Sequence, residues 1–190
     1  MRDRLLSEAI SILSKDGASA LTVRRVAAAA GCSTIGVYTH FDGKAGLVDA
    51  VVRDGFEALD ATVAQVDRLD GGLERLRAGA HAYRDWGLTN PTRYRVMFDA
   101  FVPELALGSA AAARGGDSFA AHRARVAYAL ERGELLETDV DALAHHIWAC
   151  LHGHVLLQIL RGLAPDDGTV RAAYDRDVTW LLDGVSASRG

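Results

Sequence analysis

Between Thr22 and Lys44 the chain gathers side chains suited to holding a polyanion. Arg24, Arg25 and Lys44 supply cations, Thr22, Ser33, Thr34 and Thr39 supply hydroxyls, and Tyr38 and His40 add polar aromatic rings. Cations are the main donors to phosphate oxygens, and hydroxyls and phenols supplement them. An arginine can also take a guanine edge through two hydrogen bonds. Carried on a short helix beside a tight turn, this set has the chemistry of a helix laid in the major groove of duplex DNA.

The surrounding residues supply the helices. Thr22 is placed to cap the first of a pair, its hydroxyl accepting from a backbone N–H that lacks a helical partner. Val23, Val26, Ala27 and Ala30 recur at helical spacing as an inward stripe. Gly31 suits the left-handed position that ends a helix, and Ser33 or Thr34 can cap the next. There Val37 and Phe41 face inward, while Thr34, Gly36, Tyr38, Thr39 and His40 face out. Upstream, Ala9, Ile10 and Leu13 mark the inner side of a helix over 3–16.

This segment resembles the DNA-binding domain of TetR/AcrR-type transcriptional regulators. The resemblance lies in Leu21-Thr22, Val26-Ala27, Gly31, Ser33, the run Val37-Tyr38-Thr39-His40-Phe41, then Lys44 and Leu47, and covers about the first quarter of the chain. It implies that Thr22, Tyr38 and Lys44 touch phosphates, with His40 as a further backbone contact and Thr39 near the backbone. Thr34 and Gly36 would face base edges, Ser33 belongs to the same surface, and Arg24 would reach a base or a phosphate. Gly36 departs from many relatives, which carry a side chain there. It weakens the helix by roughly 1 kcal/mol relative to Ala, and it offers close backbone approach to a thymine methyl in place of a hydrogen bond.

A formal net charge of −4 is ill matched to DNA as a total, but its distribution is uneven. Residues 1–46 hold six Lys/Arg against four Asp/Glu, and residues 47–190 hold fifteen against twenty-one. A weakly basic head on an acidic body favours contact through the head, and two heads on one duplex would make good the weak charge of each. No apolar run is long enough to span a membrane. The charged N-terminus has no signal-peptide core, and Cys32 and Cys150 suit reduced thiols. These features predict a cytoplasmic protein.

Glycine and proline divide the body into further helices, and no strand pattern or repeat appears. The expected fold is all-α. Three helices form a helix-turn-helix domain at 1–46, and residues 47–190 form a helical ligand-binding and dimerisation domain. The predicted helices run over 3–16, 22–29, 33–40, 44–67, 73–89, 91–102, 117–133, 139–162 and 167–186, with 104–116 as a mobile Gly/Ala-rich connection. Tyr83, Trp86, Tyr94, Met97, Phe98 and Phe101 concentrate aromatic and soft side chains that suit either a core or the wall of a ligand pocket.

On the helix at 139–162, Leu143, Ile147, Leu151, Val155 and Ile159 form one stripe, and Trp148, His152, Leu156 and Leu160 another. Trp148, His152 and Gly153 resemble the Trp…His-Gly signature of one C-terminal subfamily, with Gly153 permitting close helix approach. His152 fits both a pocket and a satisfied core position. By resemblance the last two helices pair with their copies in a dimer, with Val170, Tyr174, Val178, Leu181 and Val185 on the final one. His146, Cys150 and His154 at i, i+4, i+8 have the spacing of a metal set, and equally that of interface residues around a small buried thiol.

No catalytic motif such as HExxH, G-x-S-x-G or a dinucleotide glycine run is present, and no cofactor is expected. The residues therefore point to a homodimeric, ligand-responsive regulator, a repressor on a palindromic DNA operator. It would be released by a small apolar or aromatic effector, with Tyr83, Trp86, Met97, Phe98, Phe101, Trp148 and His152 as candidate pocket residues. Two alternatives remain open: a small-molecule binding protein whose head does not serve DNA, and a metal-responsive regulator using His146, Cys150 and His154.

Overall fold

The computed structural model describes residues 1–98 and 109–187. Among the described residues there are nine α-helices and no strand: α1 Arg2–Asp16, α2 Val23–Ala29, α3 Thr34–Phe41, α4 Lys44–Val63, α5 Gly72–Thr89, α6 Pro91–Phe98, α7 Ser109–Glu131, α8 Val140–Leu160 and α9 Gly168–Val185. Short 3-10 turns occupy Ala18–Ala20 and Ala64–Arg68, so the long helix expected over 44–67 tightens in its last turn. One antiparallel bridge joins Leu135 and Ser186.

The larger departure lies at 109–116, which is helical and not a connection. Ala110 to Ala113 are strong helix formers, and they outweigh the two glycines that follow. Gly115 has a further reason to lack a side chain, since a Cβ there would lie 3.3 Å from the Phe56 ring.

The chain folds as two compact units, Met1–Ala58 with Pro91–Gly116, and Leu59–Asn90 with Asp117–Gly190. In the first, Leu5, Ala9, Leu13, Val26, Ala27 and Val37 are buried together. On α1 Ile12 is buried beside Ala9 and Leu13, whereas Ile10 is only half-buried. A stripe wider than one residue per turn made the two hard to tell apart by spacing. The helix α6 belongs to this unit because Thr92 donates to Ser14 on α1 at 3.3 Å and Arg93 pairs with Asp54 at 3.0 Å. Tyr94 is fully buried, with the Phe98 ring 4.8 Å away.

In the second unit, Leu76 and Ala80 of α5 pack with Leu143, Ile147 and Leu151 of α8 and with Tyr174, Val178 and Leu182 of α9. The α5 start lies so close to α7 that a Cβ on Gly72 would sit 2.5 Å from the Ala129 Cα. Glu134 accepts from the Leu73 N–H at 2.7 Å. That bond, and then the Arg132 guanidinium, hold the Glu134 carboxyl below its usual range.

Two expectations for the last helices change. Tyr174 and Val178, read as residues offered to a second copy, are buried in the protomer's own core. Spacing identifies an apolar stripe but not what covers it. The large apolar groups left exposed here are Leu157, Leu160 and Trp180. Gly153 mediates no close approach within the protomer, because a Cβ there would meet nothing within 4 Å.

The tightest constraint is the turn from α3 into α4. Asp42 (φ 54°) and Gly43 (φ 96°) are both left-handed, and the Asp42 N–H closes α3 on the Tyr38 carbonyl at 2.9 Å. A Cβ on Gly46 would fall 1.7 Å from the Phe41 carbonyl oxygen. Both sides of that contact are backbone, so neither yields cheaply. Gly46→Ala is therefore expected to lower stability by roughly 1–3 kcal/mol. Gly116→Ala, at an exposed helical site with open space around it, should raise stability by about 1 kcal/mol. Thermal melts of the two variants should shift in opposite directions. A neutral Gly46→Ala would show that the turn is looser than described.

Candidate functional site

The α2–α3 pair is built by its caps. Thr22 Oγ1 accepts from the Arg25 N–H at 3.2 Å, which leaves the Thr22 hydroxyl proton free for an outside acceptor. Gly31 ends α2 at φ 64°, and the Cys32 N–H returns to the Ala27 carbonyl at 2.9 Å. Ser33 occupies the cap position of α3, but its hydroxyl makes no cap bond. Val37 and Phe41 are buried, and Thr34, Tyr38, Thr39 and His40 are exposed around the same short helix.

The two adjacent arginines differ. Arg25 pairs with Asp16 at 2.7 Å. Arg24 is exposed and makes no ion pair among the described residues. Lys44, half-buried at the start of α4, likewise has no acidic partner there. Two uncompensated cations thus stand on either side of α3 along the chain, Arg24 in the first turn of α2 and Lys44 at the start of α4, with Thr22 capping α2. The Tyr38 ring rests on the turn, where a Gly43 Cβ would lie 3.2 Å from its edge, and it remains 58% exposed.

Two residues behave otherwise than their types suggest. Thr39 donates its hydroxyl proton to the Ile35 carbonyl of its own helix at 2.8 Å, so it is not a ready phosphate donor. The vacant side-chain direction of Gly36 runs toward Cys32, 3.3 Å from Sγ. Room for that thiol is what its smallness provides. Sequence reasoning passed over Ile35, which is 72% exposed. The signal was available: Ile35 sits about 200° around the helix from buried Val37, so an apolar side chain there has to face out.

The candidate pocket residues divide between the two units. In the second, Tyr83 and His152 share a hydrogen bond of 3.2 Å to Nδ1, and Trp148 stacks on His152 with ring centroids 5.1 Å apart. Phe119 adds an edge contact to Trp148 and stands 4.3 Å from the His145 ring. Phe119 was missed because the aromatic concentration at 83–101 drew attention away from α7. Burial lowers the pKa of His152, so it favours the neutral ring. Trp86 is buried in this unit. Met97 and Phe98 belong to the first unit, with Met97 against Gly55 and Phe98 at 5.5 Å from Phe56. Phe101 lies outside the described residues.

Arg84 is a third residue that sequence reasoning passed over. It is fully buried; Nε donates to Gln158 at 2.9 Å, and Nη1 donates to Asp85 and to the Pro165 carbonyl. Nη2 has no partner. Its spacing from Leu76 and Ala80 on the inner face of α5 was the available signal.

Among the described residues no three His, Cys, Asp or Glu side chains form a possible metal set. His154 instead faces Asp177 at 3.8 Å and the Tyr174 ring at 6.0 Å, and His146 is exposed. No helix among the described residues is long and apolar enough to cross a membrane.

A helix pair joined by a tight turn, an arginine without an ion pair on its first helix, and a second helical unit among the described residues define a helix-turn-helix DNA-binding regulator. Residues 5–51 match the model of the bacterial regulatory proteins of the tetR family, and residues 76–181 match the tetracyclin repressor-like C-terminal domain. The chain belongs to the tetR family of transcriptional regulators. Among solved structures it is similar to a protein of unknown function from Rhodococcus sp. RHA1 (25% identity, 98% of this chain and 95% of that one, TM-score 0.85). It is also similar to a tetR-family regulatory protein from Rhodococcus RHA1 (22%, 98% and 97%, 0.73). A third is the ketosteroid transcriptional regulator KstR2 of Mycobacterium tuberculosis (22%, 98% and 95%, 0.68). No curated protein matches the sequence.

The half-buried His122 of α7 gives a pH prediction. His122 Nε2 bonds the Ala144 carbonyl at 3.1 Å, and burial pushes its pKa down from 6.5 to about 4. Between those values the unfolded chain binds the extra proton, so stability should fall as pH drops from about 6.5 toward 4. The loss attributable to this group should reach about 3 kcal/mol. His122→Gln, which keeps a donor, should flatten that part of the denaturation-versus-pH curve. An unchanged slope would show that His122 titrates normally.

Proposed function

We propose that this regulator represses transcription as a homodimer on a palindromic operator and is released by a small apolar or aromatic effector. The observation that carries the DNA-binding part is the charge left on the α2–α3 surface. Asp16 neutralises Arg25, whereas Arg24 and Lys44 stand uncompensated beside the exposed Thr34, Tyr38 and His40. In this reading residues 1–46 form the DNA-binding part, and 47–190 bind effector and partner in the cytoplasm. Thr22, Ser33, Tyr38, His40 and Lys44 hold phosphates, Arg24 and Thr34 reach base edges, and Gly36 and Thr39 shape the helix that carries them.

Dimerisation is supported by the exposed Leu157, Leu160 and Trp180 of α8 and α9 and by the open space at Gly153. A second copy would cover them. Tyr83, Trp148, His152 and Phe119 support an effector with a flat or apolar body, offered one hydrogen-bonding pair. The neighbour named for ketosteroids is in keeping with that chemistry. Effector binding would act as a population shift toward a state in which the two heads no longer fit successive major grooves.

The deciding experiment is selection of purified protein on pooled random duplexes. A palindromic consensus is the expected result. No enrichment at low salt from folded protein would overturn the DNA-binding reading. On the selected site, Lys44→Ala should weaken binding about equally for all sequences and lower the salt slope by roughly one per subunit. Arg24→Ala should cost on the order of 1–3 kcal/mol per half-site and relax one operator position if it reads guanine. A uniform loss across sequences would make Arg24 a phosphate contact.

A further inference from the structure

We propose that Ile35 is a specificity-determining residue of the DNA interface, reading a thymine through its C5-methyl group; this rests on the DNA-binding reading above. Occupancy of the outward face of α3 singles this residue out. Val37 and Phe41 point into the core. Gly36 presents no side chain, and its vacant direction meets Cys32. Tyr38 leans on the Gly43 turn, at the end of the helix nearer Lys44. Thr39 has turned its hydroxyl back onto the Ile35 carbonyl. What remains foremost in the first turn of α3 is Thr34 and, 72% exposed, Ile35.

A β-branched side chain on a short helix is rigid about χ1, so Ile35 presents its surface with little entropy left to lose. It offers no hydrogen bond, so it cannot read the donor and acceptor pattern of a base edge. The one apolar feature of the major groove is the thymine methyl. Arg24 and Lys44 supply the charge that makes the partner of this face a polyanion, which sets the isoleucine apart from an ordinary hydrophobic contact.

The test uses the palindromic site obtained by selection, with each thymine of the half-site replaced in turn by deoxyuridine, which lacks only the methyl. Wild-type protein should lose about fourfold per half-site at one position, the value of one buried methyl-sized group, and little elsewhere. Ile35→Ala should bind the thymine site more weakly and no longer distinguish thymine from deoxyuridine at that position. Ile35→Val should keep most of the discrimination. As Ile35 is exposed, these variants should melt with the wild type. Equal deoxyuridine penalties in wild type and Ile35→Ala, or no penalty at any position, would overturn the assignment while leaving DNA binding intact. Absence of any selected duplex would instead overturn the DNA-binding reading on which it rests.

Discussion

The close approach of the Phe41 carbonyl to Gly46 is the constraint on which the exposed surface of α3 depends. It requires two successive left-handed residues, Asp42 and Gly43, and a residue without Cβ at the first turn of α4. In return it fixes the end of α3 against a twenty-residue helix. Tyr38, seated on Gly43, is positioned by the same turn. An eight-residue helix has too little hydrogen bonding of its own to hold its orientation in water. Its buried Val37 and Phe41, and this backbone contact, have to supply it.

The charge pattern follows a similar economy. The head carries only a small positive excess, so the placement of each cation matters more than the total. Asp16 takes Arg25 out of the reckoning, and the Arg25 backbone N–H also closes the Thr22 cap. One residue therefore serves structure through both its main chain and its side chain, leaving its neighbour free. Exposed ion pairs contribute little to stability. The effect of Asp16–Arg25 lies in which charge is left over.

Much of this was legible in the sequence because local rules decided it. The Thr22 cap, the Gly31 stop, the inward Val26, Ala27, Val37 and Phe41, and the helix starts at Asp139 and Asp167 are settled within a few residues. What was not legible depends on partners distant in the chain. No periodicity says that Asp16 will meet Arg25 but not Arg24, or that Thr39 will bond back along its helix. Tyr174 and Val178 form a sound apolar stripe, and only packing shows that α5 and α8 of the same protomer cover it. The candidate pocket residues are likewise shared out between the two compact units. The run at 83–98 is continuous in sequence, yet it crosses from one compact unit to the other at Asn90 and Pro91.

The second unit is held by apolar packing around one buried charge. Arg84 has no exposed surface, and an isolated guanidinium in such a place would be costly. Its cost is reduced because Asp85 is half-buried and also meets Arg171 at 3.1 Å, while Gln158 and the Pro165 carbonyl take further protons. Tyr174, beneath the guanidinium at 5.4 Å, donates its own hydroxyl to the Ala80 carbonyl at 2.9 Å. The network therefore ties α5, the end of α8, the loop at Pro165 and α9 through directional bonds. Hydrophobic contact alone tolerates sliding of one helix past another; a buried arginine with fixed acceptors on two other segments does not. A unit of this kind has its register set at one end by Arg84, and the Tyr83–His152 pair, one residue away on α5, is positioned by the same anchor.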